Sequence, residues 1–250
     1  RQVAKAGFWS LAFSGAFLGP VQIAFGPTPD WLDSVSAVLS LALPVAAIAT
    51  AAAVATTVAD DWSDASERPA LLAVGYGLAL AIVASVLSVF GAFSSAAALV
   101  GLSAFWDGIQ FLVLFGVGGT FLSAFAYQAI PPMTGRQIDD IGNAGRQIRL
   151  VAWGSLGTAV FLVLAGILSG FSWTGGSYTG SYTDAGEGWA EAMALPNVLI
   201  GVAVLGALVT FVGQLLFVRN VTSAITSGTA GAQEVLVYTP VSDDDDGGDS

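Results

Sequence analysis

Apolar residues run along this chain in long blocks, separated by short polar or acidic segments. Six blocks, 7–26, 35–58, 70–93, 109–131, 150–170 and 195–218, reach about 20 residues, the length a helix needs to cross hydrocarbon. The pattern predicts an all-α fold: a polytopic transmembrane bundle of about six helices over 1–220, then an acidic tail, 221–250, expected to be disordered. Segment 94–108 is apolar but rich in Ser, Ala and Gly, and reads as a short helical or re-entrant connection buried against protein. Merging it with its neighbours into one long broken helix would change the number of spans and therefore the orientation.

Charge tests the count. With six spans, all seven basic residues, Arg1, Lys5, Arg68, Arg136, Arg146, Arg149 and Arg219, fall on one side of the membrane. The positive-inside rule makes that side the cytoplasm, with both termini there and Arg136, Arg146 and Arg149 as topology anchors. With five spans the set would split. The opposite segments, 27–34 and 171–194, carry Asp30, Asp33, Asp184, Glu187 and Glu191 and no basic residue. Trp9, Trp31, Trp106, Trp153 and Trp173 lie near predicted span ends, where an amphipathic ring prefers the headgroup layer.

Composition agrees: 55% of residues are hydrophobic and only 10% charged, so lipid is the natural solvent. The absence of Cys and His excludes disulfides, thiol redox chemistry, ordinary zinc sites and imidazole haem ligands. Met133 and Met193 lie near helix ends and build little alone. The net charge of −11, with acidic runs at Asp60, Asp61, Asp64, Glu67 and at Asp243–Asp246, points to a halophilic source; for the tail alone, an ordinary acidic extension reads equally well. Arg1 in place of an initiating Met points to a cleaved or truncated N-terminus, and 1–27 does not look like a complete signal peptide. No phosphate loop, nucleotide fold or catalytic triad is legible, and no nucleic-acid partner is expected.

Small residues crowd the spans (Ala46 to Ala55, Gly116, Gly118, Gly119, Gly154, Gly157, Gly201, Gly206), which suits close helix packing in a compact bundle or a multi-subunit assembly. Pro20 and Pro44 are expected to kink the first two helices. Gln22, Thr120, Ser123, Gln128 and Gln214 are the polar groups within spans, read as interhelical hydrogen-bonding residues. Asp107, at a predicted span start, reads as a helix cap before it reads as a proton carrier. Tyr127-Gln128-Ala129-Ile130-Pro131-Pro132-Met133-Thr134-Gly135-Arg136 is expected to stop a helix at its prolines and turn at Gly135.

That last segment resembles the end of the tenth helix of haem-copper oxidase subunit I, especially the B-type oxidases. There an aromatic residue, Leu-Leu-Pro and Thr-Gly-Arg or Thr-Gly-Lys stand at similar spacing. The match extends back to Gly108. In the family this glycine opens a Gly-His-Phe-His stretch whose histidines ligate the two haem irons. Here the stretch reads Gly108-Ile109-Gln110-Phe111, so Ile109 and Phe111 hold the ligand positions. The first two spans resemble the family's seventh and eighth helices, and the copper-binding His-His pair corresponds to about Phe17-Leu18-Gly19-Pro20, with Leu18 and Gly19 in the ligand region. The resemblance covers about 7–220 and implies helices seven to twelve of such a subunit. Its partners would be the lipid bilayer and other membrane subunits of a respiratory electron-transport complex, or a missing N-terminal half. The family uses haem and copper. With these residues no cofactor, no metal site and no catalytic residue are expected on this chain. Alternatives are a nitric oxide reductase large-subunit-like protein, whose ligands would also be histidines, and a small-solute channel or transporter lined by the few polar groups.

Overall fold

A computed structural model describes residues 2–16, 29–101, 103–138, 140–174 and 185–229. The described residues form helices α1 (Gln2–Ala16), α2 (Asp30–Thr57), α3 (Pro69–Ala92), α4 (Ser94–Val100), α5 (Ala104–Thr134), α6 (Ile141–Thr174) and α7 (Ala185–Ser227). A six-residue 3-10 turn, Ala59–Asp64, leads from α2 towards α3. Five of the helices (α2, α3, α5, α6 and α7) contain stretches long and apolar enough to cross a membrane. Of the first expected span, residues 7–16 lie in α1 and 17–26 fall outside the described residues.

Local chemistry sets the helix ends. Pro69 opens α3 at a position where its missing N–H costs nothing. Ser103 caps α5 by accepting a hydrogen bond from Phe105 N (3.3 Å). At the start of α6, Asp140 accepts from Asn143 N (2.8 Å). The prolines do not stop α5 as the sequence suggested: the helix carries Pro131 and Pro132 and runs on to Thr134. They lack the N–H groups that would bond the carbonyls of Tyr127 and Gln128, and the helix ends two residues beyond them. Gly135, at φ 67° and without a Cβ, takes the left-handed cap, its N–H donating to Pro131 O (2.9 Å).

The helices outrun the apolar blocks. At 1.5 Å per residue α6 is about 51 Å long, against about 30 Å of hydrocarbon. Hydropathy marks only the lipid-buried part; backbone hydrogen bonding continues into the headgroup layers. A second unforeseen feature is the π-helical stretch Leu112–Gly118 inside α5, where i→i+5 bonding shifts the face register between its two halves.

α1 lies on α2, with Gly7 against Thr50; α2 packs on α3, α3 on α5 and α6, and α6 on α7. The start of α3, the end of α5, the start of α6 and the end of α7 meet in one cluster, Ala73, Tyr127, Ile138, Ala144, Ile148 and Ala224. Arg136 sits there and donates to Ile225 O (3.0 Å), satisfying a carbonyl that the end of α7 leaves free. Arg68 pairs with Asp61 and lies 3.9 Å from Asp64 in the turn that enters the same end. With Lys5 two residues before Gly7, every described basic residue falls at this end of the bundle.

The opposite end holds α4 and a second cluster of Ala92, Val100, Phe105, Trp106, Ile109 and Val163. Trp106, in the first turn of α5, faces into the bundle rather than out of it. It is 6% exposed, stacked edge-on against Phe105 and seated where a Cβ on Gly91 would be. The missing side chain of Gly91 makes the space in which the indole's large apolar surface is buried.

Candidate functional site

Three of the long helices are joined by buried polar side chains. Tyr127 on α5 donates its hydroxyl proton to Gln147 Oε1 on α6 (3.0 Å) and accepts from Asn220 Nδ2 on α7 (3.3 Å). Gln147 Nε2 donates to Ser123 Oγ (3.2 Å), which donates onward to Gly119 O (2.8 Å). Gln147 and Ser123 are fully buried. The order of donors decides what this arrangement can do. Each hydrogen passes to an atom already fixed by another bond, and the Gln147 amide does not relay a proton as a carboxylate or imidazole does. The network therefore locks α5, α6 and α7 in register. Interhelical hydrogen bonds in a membrane average about 0.6 and reach about 1.7 kcal/mol. Gln147→Leu removes two of them and leaves the Tyr127 hydroxyl proton without its acceptor, though Asn220 still donates to that oxygen, so it is expected to cost about 2 kcal/mol in a detergent unfolding titration. Tyr127→Phe keeps the Gln147–Ser123 bond but removes those to Gln147 and Asn220, so it is expected to cost about as much.

Of the expected polar residues, Ser123 joins this network, while the Thr120 hydroxyl turns back to Gly116 O (2.7 Å) on its own helix. Gln214 on α7 reaches the backbone of α5 at Gly119. Asp107 is exposed in the first turn of α5, and Ser103, not Asp107, is the cap. Asp107 lies in the first turn, where the positive end of a helix favours a negative charge. Gln22, Pro20, Leu18 and Gly19 lie outside the described residues. Gln147 and Asn220 were missed. The available signal was a polar side chain on the same α6 face as the buried Ala144, Ile148 and Val151.

Ile109 and Phe111, two residues apart on α5, point to different surroundings. Ile109 is 4% exposed and packs with Val100, Phe105, Trp106 and Val163. Phe111 is half-buried, its ring 4.7 Å from that of Phe115 one turn on. Gly108 lets α5 approach α6 closely: a Cβ there would stand 2.9 Å from Ala159 O and 3.0 Å from Leu162 Cβ. Among the described residues no group of three or more His, Cys, Asp or Glu side chains could hold a metal ion.

The family described as cytochrome c and quinol oxidase polypeptide I matches residues 1–205, most of the chain. The chain belongs to this family. No curated protein matches it. Membership in the polypeptide I family accords with the all-helical transmembrane bundle and identifies a cytochrome oxidase subunit I-like membrane protein. The match includes all of α5 and α6, and so takes in Ile109, Phe111, Tyr127 and Gln147.

Proposed function

We propose that this chain is a ligand-deficient, non-catalytic member of the polypeptide I family. It would serve as a membrane subunit that packs against other subunits of a respiratory complex. The observation that carries the reading is the surroundings of Ile109. At the positions matched to the two haem ligands stand an isoleucine and a phenylalanine, neither with a lone pair for iron. The Ile109 side chain is enclosed by Phe105, Trp106 and Val163, so that position is part of the apolar core. The residues present do not fit a haem iron. At the copper-ligand region, Leu18 and Gly19 offer no donor side chain either.

The clustering of basic residues at one end of the bundle supports an orientation with that end, and both termini, in the cytoplasm. The α7 surface bearing Val204, Leu205, Leu208, Phe211 and Leu215 is exposed and apolar, suited to lipid or to neighbouring transmembrane helices. The reading predicts that the purified chain has no Soret band and does not reduce dioxygen when given reduced cytochrome c or quinol. A redox-active haem band would overturn it.

A further inference from the structure

We infer that α6 carries a binding site for an anionic phospholipid, with its headgroup phosphate on Arg146 and Arg149 and an acyl chain along the exposed stripe below them. At 100° per residue, Arg146, Arg149, Trp153, Gly157, Val160 and Leu164 fall within one narrow arc of the helix. Both arginines are exposed, and neither has a hydrogen bond or ion pair among the described residues. The nearby carboxylate of Asp140 is engaged with Asn143 at the start of the same helix. Arg68, by contrast, is neutralised by Asp61 and Arg136 is bound to Ile225 O. Among the described residues, the two α6 arginines are thus cations without a partner.

Depth supports a lipid. From Arg149 to Thr174 there are enough helical residues to cross the hydrocarbon, which leaves Arg146 and Arg149 in the headgroup layer. Trp153 comes one turn deeper, 62% exposed and edge-on to Tyr76 of α3, with ring centroids 6.5 Å apart. Next comes Gly157, where a Cβ would meet nothing within 4 Å, and then the exposed Val160 and Leu164. Trp153 to Leu164 is about 16 Å, the hydrocarbon depth of one leaflet. A guanidinium pair above an aromatic edge and an open apolar track matches the anatomy of a diacyl phospholipid with a net negative headgroup. An acidic segment of a partner protein would use the arginines but not the track.

The test is native mass spectrometry of the whole chain, offered phosphatidylglycerol and phosphatidylcholine in equal amounts. The wild type should retain phosphatidylglycerol selectively. Each arginine near an anionic surface is worth about fivefold, so Arg149→Gln should weaken retention about fivefold and Arg146→Gln/Arg149→Gln about thirtyfold. Lys5→Gln, on α1 away from α6, should change nothing. Gly157→Leu should weaken retention of the lipid by filling the track while leaving both charges in place. Inorganic phosphate should not displace the lipid. Undiminished retention by the double variant, or displacement by phosphate alone, would overturn the assignment.

Discussion

Ile109→Ala is expected to destabilise the bundle by about 3 kcal/mol, the middle of the range for truncating a buried isoleucine. The side chain is 4% exposed and wedged between Phe105, Trp106 and Val163, which are held by α4 and by the close approach of α5 to α6 at Gly108. Rings fixed edge-on, as Phe105 and Trp106 are, collapse poorly into a void, so most of the cavity should persist. Phe111→Ala gives the internal comparison. Its ring is half-buried against Phe115, and lipid can fill the space it leaves, so the cost should be about 1 kcal/mol. Unfolding titrations in mixed micelles separate the two. A loss at Phe111 equal to that at Ile109 would mean that α5 is seated differently.

The second large effect is expected at the seam between α6 and α7. Gly154 and Thr158 on α6 face Thr210 and Gly206 on α7 in a reciprocal arrangement. A Cβ on Gly154 would stand 2.7 Å from Thr210 N and 2.9 Å from Gly206 O; one on Gly206 would stand 2.8 Å from Thr158 N and 3.0 Å from Gly154 O. These are backbone atoms that cannot swing aside. Thr158 Oγ1 adds a bond across the seam to Ala203 O (3.3 Å). Close backbone approach is what holds helices together where lipid removes the hydrophobic driving force. Gly154→Ala should therefore cost about 2 kcal/mol by forcing the helices apart. Gly157→Ala, one turn away with open space beside it, should raise stability slightly through helix propensity. If the two alanines behave alike, the seam is not where the structure puts it.

The long helices were legible because each apolar block reports on a single physical requirement, twenty or so residues in hydrocarbon. Shared placement of the arginines was legible for a related reason, since charge cannot sit mid-membrane and must gather at loop ends. What the sequence hid depends on contacts between helices. Trp106 looked interfacial because its neighbours in sequence end a span; only Gly91, on another helix, shows that it is packed inward. Gln147 sat between two arginines and looked like part of an exposed flank, while its partners Tyr127 and Asn220 are distant in sequence. The π-helical stretch has no residue signature beyond a few glycines. Asp107 was placed correctly at a helix start, but Ser103 accepts the capping bond because its hydroxyl stands just before the first turn.

The proposed lack of haem rests on Ile109 and Phe111, which stand where the sequence resembles the family's haem-ligand stretch. The most direct test is to count iron and copper per chain in protein purified from its own membranes, with an absorption spectrum of the same sample. An apolar core at Ile109 predicts less than one-tenth of an iron or copper per chain and a colourless sample. One haem iron per chain, with a Soret band that shifts on reduction, would contradict it.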